Sequence, residues 1–290
     1  MQDCTEELVL SLLPHRGGNA HKGTFGRLLL VAGCGRYRGA AQLAASGALR
    51  IGTGIVTLAA TEPVAAACAA ALPEATYLPL PADAEGQLDL RALAPLLAQA
   101  GSVTAVAAGC GLGQSEALRS LVRGLAAQLT QPLLLDADAL NLLADDPALL
   151  CARPAATVLT PHPGEAARLL ASTVAAVQAD RIGAACELAS RTGCVVVLKG
   201  HGTLVAAPDG RLLHNPTGGP GLARGGSGDL LAGMIAGLMA QGLSAFDAAA
   251  CGVFLHGAAA DLCARRRGAV SMLPHELVDD LCGWFAARGL

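Results

Sequence analysis

The chain predicts an α/β fold of three layers, a mostly parallel central sheet flanked by helices. Two observations carry that prediction. Short, continuously apolar runs alternate with helix-like segments along most of the 290 residues, and each run breaks off into Gly, Asp or His. Strands buried on both faces of a parallel sheet lose the alternation of half-buried strands, and ligands gather at their carboxyl ends, where these polar residues fall.

In order, residues 27–33 (RLLLVAG) and 54–60 (GIVTLAA) read as strands around the helical AAQLAASGALRIG, one strand, helix, strand unit. Residues 103–109 (VTAVAAG), 132–138 (PLLLDAD), 156–162 (ATVLTPH) and 194–200 (CVVVLKG) repeat the theme. After Lys199 the rhythm changes. TLVAAPDGRLLHN reads as two strands about a Pro-Asp-Gly turn, an antiparallel hairpin at one sheet edge. Three helices follow, over 227–241, 244–265 and 274–286. No linker rich in Gly/Ser or Pro and no repeat divides the chain, so residues 1–290 are read as one domain.

Composition removes several classes of function. A net charge of −3, with one Trp, two Tyr and four Phe, provides neither the electrostatics nor the stacking surface of a nucleic-acid binder. Arg265, Arg266 and Arg267 read as a solvated helix end. The ten cysteines include no C-x-x-C pair, which argues against zinc. Together with an acidic start, MQDCTEELVL, where a signal peptide is basic, they predict a cytoplasmic protein with cysteine as apolar filler. The apolar run 230–240 is broken by Gln241 and Asp247, well short of the roughly 18–20 residues a membrane span requires. It reads as a buried helix, with no membrane partner.

Familiar motifs are absent. GCGLGQ spaces its glycines G-x-G-x-G rather than G-x-G-x-x-G, and the second strand ends in Ala59 and Ala60 where a hydride-transfer enzyme needs an acid. The later glycine-rich stretch lacks the Lys-Ser/Thr pair of a Walker loop, and no G-x-S-x-G is present.

What remains is HNPTGGPGLARGGSGDLL, residues 214–231, a run of glycines and one acid, Asp229, directly before an apolar helix. Helix starts leave N–H groups unpaired and carry partial positive charge, so Gly226, Ser227 and Gly228 make an anion cradle. An acid inside it repels a bound phosphate, and is tolerated where a hydroxyl must lose a proton as it meets that phosphate. Four further polar segments sit at strand ends or helix starts: YRGAA, GCGLG, TPHPGEAARLL and LKGHGT. Such a row suits a nucleotide plus a second ligand.

KGTFGRLLLVAG with YRGAA, then DADALN, TPHPGE, VVLKGHGT and NPTGGPGLARGGSGD, occur in this order from about Lys22 to the C-terminus. Together they resemble the ADP-dependent NAD(P)H-hydrate dehydratase family, of the ribokinase-like superfamily, in the stand-alone form without its frequent epimerase domain. The resemblance implies removal of water from the S form of NADH or NADPH hydrate, with ADP as phosphoryl donor and magnesium as cofactor. It implies that Asp229 takes the proton from the hydrate hydroxyl while the amides of Gly226, Ser227 and Gly228 hold the developing phosphoryl charge. His162 would contact the hydrate, with Ala40, Ala41 and Gly111 lining its pocket. Lys199, Gly200, His201, Gly202, Thr203 and Gly228 would hold the adenine nucleotide, and Glu165 would reach magnesium through water. The family implies a homotetramer, and a separate epimerase as functional partner.

Each residue also has a plainer reading. Asp229 is favourable to a helix dipole in any first turn. His162, between two prolines, suits a turn. Asp136 and Asp138 either cap the next helix or act near the phosphates. Lys199 contributes as little as backbone contacts, and His15, His21, His214, His256 and His275 read as structural or exposed. The family pattern is broken at Gly219, Arg224 and Ser227, and Arg224 adds positive charge beside the cradle. Two rival functions stay open: a vitamin-precursor kinase of the same superfamily, and a nucleotide-binding regulatory protein without turnover.

Overall fold

Residues Arg27–Val31 show how the layers are built. Leu28 and Leu30 point into one apolar core and Leu29 and Val31 into the other, because successive side chains of a strand leave opposite faces of the sheet. The computed structural model describes all 290 residues. Its strands are β1 (Gln2–Asp3), β2 (Arg27–Val31), β3 (Ile55–Thr61), β4 (Thr76–Leu80), β5 (Ala105–Ala108), β6 (Leu133–Leu135), β7 (Thr157–Leu159), β8 (Val195–Leu198), β9 (Leu204–Ala206) and β10 (Leu212–His214). The helices are α1 (Glu6–Leu12), α2 (Arg38–Arg50), α3 (Glu62–Ala69), α4 (Leu93–Ala100), α5 (Glu116–Gln128), α6 (Asp138–Leu142), α7 (Pro163–Leu169), α8 (Val174–Ala179), α9 (Arg181–Thr192), α10 (Ser227–Ala240), α11 (Ala245–Arg267) and α12 (Leu277–Ala286).

All ten strands join one sheet, in the order β1-β10-β9-β8-β7-β6-β5-β2-β3-β4. Every neighbouring pair is parallel except those of β9, which runs antiparallel to both β8 and β10. The chain first travels outward from β2 to β4, then returns to β5 and travels the other way. The reversal between β2 and β5 opens a crevice at the carboxyl ends of the strands, the usual ligand position in such sheets. Helices α2, α3, α10, α11 and α12 cover one face and α4 to α7 with α9 the other.

The α/β class and the six main strands are as the sequence predicts, with two differences. All of these strands but β3 are shorter than the apolar runs, since the polar tails Asp136–Asp138, Thr160–His162 and Lys199–Gly200 lie beyond them, and of these Asp136, His162, Lys199 and Gly200 line the site. The hairpin β9–β10 is not at the edge, because β1 pairs with β10 in parallel register, Gln2 with Leu213 and Asp3 with His214. Neither β1 nor the other edge strand, β4, is visible as an apolar run. β1 is two exposed polar residues, and β4 carries Pro79, which an edge tolerates.

Helix α10 is buried along nearly its whole length, between α2, α11 and the sheet. Two glycines allow this. A Cβ on Gly233 would lie 1.9 Å from the Ala44 carbonyl oxygen, and one on Gly47 would lie 2.4 Å from that of Leu230. The α2 and α10 backbones are therefore in contact, which aligns the starts of both helices on the same side of the sheet. By length and composition α11 is apolar enough to cross a membrane, but 78% of its most apolar window is buried inside the protein.

Gly233→Ala forces these helices apart and lowers stability by about 1–3 kcal/mol in chemical denaturation. Gly283→Ala in α12, where an added Cβ meets nothing within 4 Å, is the control and is neutral or stabilising.

Candidate active site

The carboxyl ends of β6, β7 and β8 and the start of α10 enclose a cavity of about 650 Å³. Its walls include Asp136 after β6, His162 and Glu165 after β7, Lys199 to Thr203 after β8, and Gly226 to Asp229 at the α10 start. Gly226 sits at φ 96°, a conformation that favours glycine, and a Cβ there would lie 2.6 Å from Leu43 Cδ1. No side chain caps α10; the Ser227 N–H donates to the Arg224 carbonyl at 3.3 Å, and the N–H groups of Gly226 and Gly228 are left for an anion. Helix α2, beginning at Arg38, is likewise uncapped.

The electrostatic centre is Lys199. Its Nζ lies 2.7 Å from Asp136 Oδ1 and 4.0 Å from Glu165 Oε2. Burial alone would lower its pKa, but Asp136 and Glu165 outweigh that and raise it, so the ammonium stays charged. Thr160 Oγ1 also donates to Asp136 Oδ1, at 2.6 Å. A Cβ on Gly228 would come within 3.4 Å of Lys199 Nζ, so the cradle backbone lies directly against this charge. The plainer reading of Lys199, backbone contacts alone, leaves out this ion pair, by which its side chain ties β8 to β6 beneath the cradle.

Asp229 faces the same group. Burial, and then repulsion from Asp136, push its pKa from 3.8 up to about 6, against the lowering influence of the Cys110 thiol and Lys199. One side-chain atom each from Cys110, Asp136 and Asp229 lie within 4.8 Å of one another, and Cys110 Sγ is 3.7 Å from Asp136 Oδ2. Burial drives the Cys110 thiol well above its usual range, so it stays protonated and acts as a weak donor. The sequence reading treats Cys110 as filler and misses this contact, since nothing in GCGLG marks the cysteine as different from its neighbours.

His162 answers to both of its readings. It caps α7, with Nδ1 accepting from the Gly164 N–H at 2.9 Å, and it borders the cavity half exposed. Because Nδ1 accepts, the proton sits on Nε2, 3.2 Å from Glu165 Oε1. Burial and the Lys199 charge lower the His162 pKa, which keeps the ring neutral. Glu165 Oε2 accepts the His162 N–H at 2.8 Å and completes a capping box. Burial raises the Glu165 pKa.

Segment Lys199 to Thr203 turns sharply, with Gly200 at φ 147° and Gly202 at φ 63°. Arg181, at the start of α9, pins it by donating to the carbonyls of Leu198, Lys199 and Gly202 at 3.2 to 3.4 Å. The sequence reading misses Arg181, whose role is visible only once α9 packs beside β8. Asp136 and Asp138 separate cleanly. Asp136 faces the cavity, whereas Asp138 accepts from the Gly113 N–H at 2.8 Å and from Gln114 Nε2 at 2.9 Å, holding the GCGLG loop. Arg224 lies at the rim, where its guanidinium donates to the Val270 carbonyl at 2.6 Å.

Ala40, Ala41 and Gly111 do not line this cavity. They sit at the crevice between β2 and β5, where a Cβ on Gly111 would come within 2.8 Å of Ala40 Cβ and 2.7 Å of Tyr37 Cβ. Ala41 is wholly buried in the core. Of the remaining histidines His256 alone lines the cavity, buried at 5% exposure.

A profile for NAD(P)H-hydrate dehydratases matches residues 28–282. The chain belongs to that family. It is 45% identical over 271 residues to a bifunctional NAD(P)H-hydrate repair enzyme of Moorella thermoacetica, covering 93% of this chain and 51% of that one. It is 43% identical over 266 residues to an ADP-dependent (S)-NAD(P)H-hydrate dehydratase of Neisseria meningitidis, covering 90% and 86%. The chain thus spans about half the length of the bifunctional relatives it matches. The crystal structure of the Bacillus subtilis ADP/ATP-dependent NAD(P)H-hydrate dehydratase, co-crystallised with ATP and Mg²⁺, superposes with a TM-score of 0.83 at 36% identity, over 99% of this chain and 98% of that one. The fold is the ribokinase-like one of those dehydratases.

If the Lys199–Thr203 segment of this dehydratase-family chain carries the nucleotide, Gly202→Val weakens ADP binding in calorimetry by tenfold or more. Its Cβ would meet His214 Nε2 at 2.6 Å in a backbone conformation that valine resists. Unchanged affinity removes that segment from the site.

Proposed function

We propose that this chain dehydrates the S form of NADH or NADPH hydrate, consuming ADP and releasing AMP, phosphate and the restored dinucleotide. The observation that carries the reading is a half-buried carboxylate, Asp229, with its pKa raised to about 6, set inside an uncapped helix start. An acid there weakens plain anion binding, and it suits a site that deprotonates a hydroxyl against an incoming phosphoryl group. The ADP-dependent activity is in the name of the Neisseria relative, and the Bacillus one was crystallised with ATP and Mg²⁺.

The chemistry runs in two stages. Asp229 takes the proton of the ring C6 hydroxyl as that oxygen attacks the terminal phosphorus of ADP and the bond to AMP breaks. The amides of Gly226, Ser227 and Gly228, with Lys199 behind them, hold the charge on the transferred group. The phosphorylated oxygen then leaves C6 as inorganic phosphate while the ring nitrogen pushes its electron pair in. Loss of a C5 proton restores the ring double bond. His162 orients the hydrate beside the crevice of Ala40, Ala41 and Gly111, and Lys199 to Thr203 with Gly228 hold the adenine nucleotide.

A magnesium ion fits the charge pattern. Asp136, Glu165 and Asp229 face only one buried ammonium, so a polyphosphate entering this cavity needs a further cation. The hard oxygens of Glu165 suit it. Both already have protein neighbours, so water would mediate the contact. Such an ion would neutralise phosphate charge.

Asp229→Asn lowers turnover on the order of 10² to 10⁴ fold while sparing ADP affinity; wild-type turnover sinks the assignment. In the wild type, kcat/KM falls as pH drops through about 6, where the carboxylate gains a proton. Because the folded pKa lies above the ordinary 3.8, the ionised acid costs stability as pH rises between those values. Asp229→Asn therefore melts higher than wild type at pH 7, and the difference shrinks towards pH 4. With NADH hydrate, ADP and magnesium, absorbance at the NADH band rises. Silence there, with a stable phosphorylated vitamin precursor formed instead, selects the kinase.

A further inference from the structure

His256 is the one buried titratable side chain of the cavity that the reaction leaves without a task. It sits on α11, 5% exposed, between the buried Val253 to Leu255 and Gly257. Its Nε2 has no hydrogen-bond partner in the protein. Ser227, 7% exposed at the first position of α10, has an equally unpartnered Oγ. Both residues line the same cavity, and the imidazole lies within hydrogen-bonding reach of the Ser227 backbone, while Nε2 itself stays unpartnered.

Buried polar atoms in folded proteins nearly always find partners, because leaving one unpaired costs more than an apolar residue of similar shape. Two orphans side by side, at a helix start whose amides are also uncapped, point to a ligand that satisfies all of them. A leucine would serve packing on α11 better, as the neighbouring positions do. Burial and the Lys199 charge hold the imidazole neutral, with its pKa pushed down to about 4. It therefore stays free of an ion pair with Asp136 or Asp229.

We propose that His256 binds the transferred phosphoryl group through its ring nitrogen, with the Ser227 hydroxyl as a second side-chain contact beside the amides of Gly226 to Gly228. The proposal rests on reading the cavity as a phosphoryl-transfer site. A neutral imidazole holds phosphoryl oxygens without adding charge that Asp229 would attract. Its contact falls on the terminal phosphate, since the imidazole lies against Ser227 within the cradle.

The test compares ADP with AMP, which differ by that phosphate alone. In calorimetric titrations of the full chain with magnesium, His256→Leu reduces the ratio of ADP to AMP affinity by about tenfold or more and leaves AMP affinity unchanged. His256→Gln, which keeps a donor and acceptor at the same reach, restores part of the ratio, and Ser227→Ala lowers it. The melting temperature of unliganded His256→Leu equals or exceeds that of wild type, since an orphan has been removed. An unchanged ratio in His256→Leu overturns the proposal. If that variant does not fold, wild-type ratios in both His256→Gln and Ser227→Ala overturn it, and a lowered ratio in Ser227→Ala with partial loss in His256→Gln supports it. Wild-type protein that discriminates ADP from AMP but is silent on NADH hydrate disproves the dehydratase and leaves this contact standing.

Discussion

The ion pair between Lys199 and Asp136 is what the rest of the site depends on. It joins the ends of β8 and β6 across the intervening β7, it lies directly beneath Gly228, and it sets the field in which Asp229 titrates. A buried pair of this kind is poor at stabilising a fold, because desolvation of two charges offsets most of their attraction. Its place here is explained by what it does to its neighbours. Burial first, and then repulsion from Asp136, raise the pKa of Asp229, while Lys199 draws the same carboxylate down. The outcome is an acid that is largely ionised near neutrality but easily protonated, which suits the proton transfer proposed for it.

That arrangement requires the α10 start to sit close to the strand ends, and glycine makes the approach possible. Gly47 and Gly233 let α2 and α10 touch backbone to backbone, and Gly226 turns the chain into α10 where a side chain would strike Leu43. The conformational entropy lost by helical glycines is a cost of about 0.5–1 kcal/mol each. It is offset by burying nearly all of α10, a helix apolar on every side because every side is covered.

Much of this was legible in the chain. Buried parallel strands announce themselves as apolar runs, and their polar endings marked Asp136, His162 and Lys199 before any geometry was known. The edge strands β1 and β4 were not legible, because an edge strand need not be apolar and Pro79 speaks against pairing. The glycine-rich turn was visible as an anion cradle, yet its side-chain neighbours were not. Arg181 and His256 come from segments whose local pattern is ordinary, helical for the one and apolar for the other, and Cys110 sits in a glycine turn in which nothing marks the cysteine itself. What gives them significance is packing across β5, β8 and α11, which no local spacing encodes. Asp136 and Asp138 illustrate the same limit. Two acids one residue apart in one motif take unrelated tasks, one facing the cavity and the other fastening the GCGLG loop.

The cavity also bears on why phosphorylation here would end in elimination rather than in a stable ester. A kinase and a dehydratase share the first step, and a base within an anion cradle serves both. They differ in what happens once the oxygen carries phosphate. For a hydroxyl on a carbon next to a ring nitrogen, phosphorylation creates a leaving group that the nitrogen lone pair can expel, so the second step needs little from the protein beyond holding the departing phosphate. The walls supply that in neutral form: uncapped amides and hydroxyl-bearing Ser227 on one side, and on others the neutral rings of His162 and His256. The single buried ammonium is already committed to Asp136 and Glu165. Neutral donors bind a phosphate without trapping it, which suits a group that must leave after each turnover.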